Sequence, residues 1–172
     1  FWIVREWVSR FGETQAEALL SHPVSAIEVR AQYPFTRDAL QKALPVESRV
    51  NLLDENSLSL EGGFDLASHP LFQEGKFTVM GESAMLACRA LGDMKSKRVL
   101  DACAAPGGKS AYLASLMEND IQLTCCELHP HRKELLDKTL ARLHVAAETR
   151  IMDATLFDPA LEAAFDGVLI DA

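Results

Sequence analysis

Residues 98–117 read RVLDACAAPGGKSAYLASLM. An apolar run ends on Asp101, a Pro-Gly-Gly turn follows, and Lys109-Ser110 open an amphipathic helical pattern. A strand that breaks into a glycine-rich turn and then a helix commits the chain to a βα unit, whose next strand lies parallel to the first. The alternation continues downstream. IQLTCCE (121–127), TRIMD (149–153) and FDGVLID (165–171) read as strands, and PHRKELLDKTLARLH (130–144) as a helix. This pattern predicts an α/β fold with a parallel sheet covered on both faces.

The first part of the chain has a different character. WIVREWVSRFG (2–12) has apolar residues at helical spacing and Gly12 as a stop. A second helix is expected from about Glu13 to Leu20, broken by His22-Pro23. AIEVR (26–30) alternates like a half-buried strand, and TRDALQKAL (36–44) reads as a short helix with Thr36 as its N-cap. RVNLL (49–53) and SLSLE (57–61) read as short strands around the turn-rich DENS. KFTVM (76–80) is strand-like, and ESAMLACRAL (82–91) is a helix closed by Gly92. The change of character falls at Leu71 to Gly75. Residues 1–72 are therefore expected to form a helical and α+β N-terminal domain, and residues 73–172 a second domain. The final strand, GVLID, would leave a hydrophobic sheet edge at Ala172, which folds avoid; the reading is of a domain cut short, a fragment of a longer protein.

Composition limits the partners. No apolar run approaches the ~20 residues of a membrane span, and Arg5, Glu6 and Arg10 interrupt the opening segment, which excludes a signal peptide. The expected location is the cytoplasm. The four cysteines, Cys88, Cys103, Cys125 and Cys126, have the spacing of neither a disulfide framework nor a zinc site. Net charge is −8; residues 1–75 carry 6 Lys/Arg against 11 Asp/Glu, and residues 76–172 carry 11 against 14. Neither half is a basic patch, so binding to nucleic acid has no support from charge.

Three ligands compete for the glycine-rich turn. A phosphate-binding G-x-x-x-x-G-K-[ST] loop shares its ending with Gly108-Lys109-Ser110, but Cys103 stands at its leading glycine and Pro106 lacks an N–H donor. A dinucleotide loop, G-x-G-x-x-G, needs small residues in another register than Ala104, Ala105, Gly107 and Gly108. S-adenosylmethionine has a carboxylate and an ammonium and no phosphates. It needs close backbone approach, donors and one cation, which Ala-Ala-Pro-Gly-Gly-Lys offers. A ribose acceptor is expected at the end of the next strand, ~20 residues on. Glu127 closes that strand, and Asp153 and Asp171 close the next two.

VLDACAAPGGKS resembles the first motif of the Sun-type (Fmu) family of RNA cytosine-C5 methyltransferases, with its C-A-A-P-G-G-K string. FWIVREWVSRFGETQAEALL is similar to that family's N-terminal helical segment, LFQEGKFTVMGES to the strand that leads into its catalytic domain, and FDGVLIDA to the strand before its catalytic Pro-Cys. The resemblance implies a Rossmann-like methyltransferase domain, here with the first half of its sheet, and S-adenosylmethionine as cofactor. It implies that Cys103, Ala104, Ala105, Pro106, Gly107, Gly108 and Lys109 hold the methionine end. Glu127 would take the ribose hydroxyls, Asp153 would neighbour the adenine amino group, and Asp171 would line the cofactor floor near the methyl. The family more often has Asp where Glu127 stands, and often Gln-Asp where Met80-Gly81 stand. RNA is the implied partner, with bacterial small-subunit rRNA the leading substrate and tRNA the second.

Carbon 5 of cytosine attacks a sulfonium methyl only after a thiolate adds to carbon 6. The family's nucleophilic cysteines would both lie beyond Ala172. Of those present, Cys103 sits in the turn, and Cys88, Cys125 and Cys126 fall in apolar patterns expected to be buried. No catalytic residue is therefore assigned within the chain, and residues 1–172 are expected not to turn over. The rival reading is a non-catalytic RNA-binding or ribosome-assembly factor that keeps the cofactor fold; a nucleotide hydrolase is third. His129 and His131 read as a solvated loop, and Lys133, Lys138 and Arg142 as an ion-paired helix face with Glu134 and Asp137. Trp2, Trp7 and Phe11 read as a helix packing face.

Overall fold

The computed structural model describes residues 2–21 and 26–171. The N-terminal part comprises α1 (Trp2–Phe11), α2 (Glu13–Leu20), β1 (Glu28–Ala31), α3 (Arg37–Ala43), β2 (Glu47–Val50), β3 (Ser57–Glu61), α4 (Pro70–Gln73) and β4 (Phe77–Val79). Then follow α5 (Glu82–Arg89), β5 (Arg98–Asp101), α6 (Gly108–Leu116), β6 (Gln122–Glu127), α7 (Pro130–Arg142), β7 (Ala147–Ile151), a 3-10 turn at Pro159–Leu161, and β8 (Gly167–Leu169).

The first sheet is antiparallel in the order β2-β3-β1-β4. Its core gathers Val29, Ala31, Leu40, Leu58, Leu60 and Phe77. As expected, Thr36 caps α3, its hydroxyl accepting from the N–H of Ala39 at 3.3 Å. The alternation read in AIEVR suggests one wet face, yet Val29, Arg30 and Ala31 are all buried. Both faces of β1 are covered, Val29 and Ala31 by the sheet's own core and Arg30 by α6. The strand read at RVNLL begins earlier, at Glu47, and the chain leaves the sheet after Val50, with Leu52 exposed. The strand β4 lies beyond the division drawn at Leu71 to Gly75, and it pairs with β1 in the first sheet, Val29 opposite Val79. The second core takes over at the next residue, Met80.

The second sheet is parallel, in the order β7-β6-β5-β8. Its direction reverses at β5: chain order runs outward through β6 and β7, then returns to β8 on the other side. The reversal opens a crevice at the carboxyl ends of β5 and β8, where such sheets bind ligands. The helix after β5 departs from the amphipathic pattern read in KSAYLASLM. Ser110, Ala111, Tyr112, Leu113 and Ala114 are buried in succession, which no one-sided helix allows. A second layer explains it. On one side α6 packs into the parallel sheet's core. On the other, Gln32 and Tyr33, just past β1, reach it: Gln32 Nε2 donates to the Ala111 carbonyl at 3.5 Å, and the N–H of Tyr33 to Ser115 Oγ at 2.9 Å.

A second tie runs the other way. Arg142, at the end of α7, was read as part of a solvated face, but it turns inward to the first unit. Its Nη1 donates to the carbonyls of Phe72 (2.7 Å) and Phe77 (3.3 Å), its Nη2 to Thr78 Oγ1 (3.2 Å), and its guanidinium lies 3.9 Å from the Phe72 ring centroid. The ion-paired face remains at Lys133 and Asp137, 2.9 Å apart one turn along the helix.

The α1–α2 hairpin is peripheral. Among the described residues no side chain of α1 is buried, and Trp2 is 78% exposed. The packing face read in Trp2, Trp7 and Phe11 thus has no core beneath it here. The expected break at His22-Pro23 lies outside the described residues.

The close approach of α7 to the linker depends on Gly75. Its φ is +71°, and a Cβ there would lie 1.8 Å from the Arg142 carbonyl oxygen. Gly75→Ala combines left-handed strain with a backbone clash, so we expect a loss of about 2–4 kcal/mol in chemical denaturation.

Candidate functional site

The turn after β5 is stitched across the sheet by backbone bonds. The N–H of Ala102 donates to Leu169 in β8 at 2.9 Å, and that of Ala104 to Cys126 in β6 at 2.8 Å. The chain therefore sweeps from one neighbouring strand to the other before turning into α6. The Ala105–Pro106 bond is cis. Gly107 follows with φ +105°, and a Cβ there would meet Leu136 Cδ1 at 3.1 Å and Thr139 at 3.4 Å. Positive φ and the packing of α7 both call for glycine at this position. At Gly108 a Cβ would meet nothing within 4 Å; its backbone borders open space.

That space is a cleft of about 200 Å³ at the switch point. Its walls are Asp101 and Cys103–Pro106, Gly108 and Lys109, Met80, Gly81 and Ala84, and Asp171. The Lys109 ammonium is paired with Asp171 across the mouth. Beneath it, Ser110 Oγ donates to Asp101 Oδ2 at 2.6 Å. Burial raises the Asp101 carboxyl above its ordinary value, and the Ser110 hydroxyl opposes that shift.

The predicted residues are distributed as follows. Cys103, Ala104, Ala105, Pro106, Gly108, Lys109 and Asp171 line the cleft, with Gly107 behind it against α7. Glu127 is buried at the end of β6, outside the cleft wall, and Oε1 accepts the N–H of His129 at 3.0 Å. Arg132 links it to the turn: Nη1 lies 3.7 Å from Glu127 Oε2, and Nη2 donates to the Ala105 carbonyl at 3.0 Å. Asp153 is apart from both. Its carboxylate caps its own turn by accepting from the N–H and hydroxyl of Thr155, which lowers its pKa.

Sequence reasoning passed over Asp101, Arg132 and Arg30. Asp101 was legible as the acid ending the first strand. Arg132 could have been found by its place in the first turn of the helix after Glu127. Arg30 carried no local signal. The imidazoles of His129 and His131 stack with centroids 5.6 Å apart and stay exposed; among the described residues no cluster has the makings of a metal site.

The donor set constrains the ligand. The first turn of α6 offers N–H groups without intrahelical partners, and Lys109 adds a cation; both suit a carboxylate. Three carboxylates, Asp101, Glu127 and Asp171, stand against two cations, Lys109 and Arg132, a balance that favours an ammonium and hydroxyls and repels a polyphosphate. The cleft matches the amino-acid end of such a ligand in size and falls short of the ~300 Å³ at which whole drug-sized ligands begin.

Comparison with known proteins agrees with the geometry. The family described as 16S rRNA methyltransferase RsmB/F matches residues 88–172. The probable ribosomal RNA small subunit methyltransferase B of Bacillus subtilis is 35% identical, aligned over 99% of this chain and 40% of its own length. Ribosomal RNA small subunit methyltransferase B of Shewanella oneidensis is 36% identical over 78% of this chain and 31% of its own. The chain thus spans well under half the length of these relatives. Among solved structures, NSun6 from Pyrococcus horikoshii has a TM-score of 0.86 over 98% of this chain and 69% of its own, at 17% identity, a likeness of fold. A methyltransferase homologue from the same organism gives 0.80 over 94% and 55%, at 25% identity.

The thiols divide by environment. Burial pushes Cys88 and Cys125 up to about 12 and also raises Cys126, while Cys103 is half-exposed in the cleft wall with a smaller upward shift from the same cause. Iodoacetamide labelling of the folded protein at pH 8 should modify Cys103 first, with Cys88, Cys125 and Cys126 reacting only on unfolding. Mass spectrometry of the tryptic peptides reads the order.

Proposed function

Since the chain belongs to the 16S rRNA methyltransferase RsmB/F family, whose members are S-adenosylmethionine-dependent rRNA cytosine-C5 methyltransferases, we propose that its second unit binds S-adenosylmethionine for transfer to carbon 5 of a cytosine. Bacterial small-subunit rRNA is the proposed substrate, and the cytoplasm the proposed setting. Among the described residues no helix is long and apolar enough to cross a membrane.

The observation that carries the reading is the meeting of the glycine-rich turn and Asp171 across the cleft between β5 and β8. The first turn of α6 and Lys109 would take the ligand's carboxylate, with Asp101 and Asp171 on hand for its ammonium. Gly108, with open space where a Cβ would stand, allows the backbone close to the ligand. Glu127, held by the His129 N–H and by Arg132, presents a carboxylate suited to two vicinal hydroxyls. Asp153 would neighbour the adenine once Thr155 releases it. When bound, the sulfonium supplies an electrophilic methyl group.

The base needs a thiolate, and none of the four cysteines is placed to be one. Cys88, Cys125 and Cys126 are buried and held as thiols, and Cys103 belongs to the ligand turn. We assign the nucleophile to cysteines outside residues 1–172. The family relationship favours an enzyme over a non-catalytic RNA-binding factor.

Titration calorimetry of this chain with S-adenosylhomocysteine should show binding, and with ATP none; the reverse result overturns the reading. Glu127→Gln, which removes a charged acceptor, should weaken S-adenosylhomocysteine about tenfold. Incubated with ribosomal RNA and tritiated S-adenosylmethionine, residues 1–172 should transfer no methyl group. Transfer would show that a residue of this chain is the nucleophile after all.

A further inference from the structure

Arg30 is the largest fully buried side chain among the described residues, at 0% exposure. Its guanidinium leaves β1 of the first sheet and crosses to the second unit. Nη1 donates to Gln32 Oε1 at 2.6 Å and to the Ala31 carbonyl at 3.3 Å. Nη2 donates to the Gly108 carbonyl at 3.4 Å, and Nε meets Met80 Sδ at 3.3 Å. The plane lies 5.0 Å from the Tyr112 ring centroid. Among the described residues no carboxylate pairs with it, because Asp54, the nearby buried acid, is engaged by Arg89, the Tyr112 hydroxyl and the Asn56 N–H. Burial lowers its pKa to about 10, so it remains a cation at neutral pH.

A buried cation without a counter-charge is a costly way to fill space, and Met or Leu would fill it at less expense. What the guanidinium adds is reach and a fixed fork of donors. Two of its contacts, Gly108 and Met80, are walls of the ligand cleft. Gln32, which seats the fork, also binds the Ala111 carbonyl, one turn further along α6. The start of the helix is thus gripped at two carbonyls, by Arg30 of β1 and by Gln32 just past its end.

We propose that Arg30 is a positioning residue for the ligand turn: seated by Gln32, its guanidinium fixes the height and rotation of the first turn of α6 against Met80, and so sets from the first sheet how well Gly107–Lys109 receive the methyl donor. This rests on the cofactor reading above. A packing role alone would lower the melting temperature and leave affinity untouched at temperatures well below it. A positioning role changes affinity in protein that is fully folded.

The test uses Arg30→Met, Arg30→Lys and Gln32→Met in this chain, with two readouts below each variant's melting temperature: affinity for S-adenosylhomocysteine by calorimetry, and amide hydrogen exchange. Arg30→Met should weaken binding about tenfold and speed exchange at residues 108–112 with β6 and α7 unchanged. Arg30→Lys should restore little, since an ammonium lacks the planar fork. A folded Arg30→Met protein with unchanged affinity and unchanged exchange in α6 overturns the proposal. If the parent chain fails to bind S-adenosylhomocysteine, the cofactor reading falls, and exchange in α6 decides the role of Arg30 by itself. If Arg30→Met does not fold, Gln32→Met decides by the same two measurements.

Discussion

The helix α6 is held between two sheets, and the molecule is organised around that fact. A helix on an ordinary α/β sheet turns one face to water. This one is buried along Ser110–Ala114, so its polar groups must be satisfied from inside. Ser110 bonds to Asp101 in β5, Tyr112 to Asp54 from the loop before β3, and the carbonyls of Gly108 and Ala111 meet Arg30 and Gln32. The bonds join α6 to β5, to the loop before β3 and to the end of β1. Leaving one partner of such a buried hydrogen bond unsatisfied costs about 1–3 kcal/mol, and more where that partner is charged. The N-terminal sheet is in this sense the second wall of the methyltransferase-type layer. The fold match to NSun6 extends over 98% of the chain, so the two-layer architecture is common to both folds.

The ligand preference follows from the same layering. With α6 fixed, its N-terminus faces the crevice where the sheet reverses direction between β5 and β8. Partial positive charge from the helix end and the Lys109 ammonium would suit phosphate in many proteins. Here Asp101 and Asp171 line the cleft at that positive end and outnumber its one cation, Lys109. The balance is better suited to a zwitterion, the class of the proposed ligand, than to a polyphosphate, although the GKS ending is the one that closes a phosphate loop. Geometry alone leaves both ligands open; charge separates them.

How much of this was legible depended on whether the signal was local. The βα alternation, the caps of α3 and α5 and the three strand-end acids stand in sequence order, because periodicity and turn chemistry act over a few residues. Tertiary layering is not local. Nothing in AIEVR tells Arg30 from a solvated arginine on an alternating strand, and KSAYLASLM resembles a one-sided helix until a second sheet covers its other face. Arg142 had the spacing of a surface ion-pair residue and turned instead onto Phe72 and the backbone of β4. The strand β4 fell within the second unit because the change of character was placed at Leu71 to Gly75, but it pairs with β1. In each case a long-range partner overrode a local preference.

The cysteines show the same logic applied to chemistry. Cys88 points its sulfur at the Lys109 carbonyl at 3.7 Å, and Cys125 lies in the sheet beneath the turn, where Ser110 reaches it. Both lie close to residues that line the cleft, where a low-pKa thiolate would react with an electrophile such as the proposed sulfonium. Burial keeps them protonated, with pKa values near 12, and at Cys88 it outweighs the opposing charges of Lys109 and Arg30. Their use is therefore to fill small volumes in the core behind the turn, and as buried thiols they present no reactive thiolate beside the cleft.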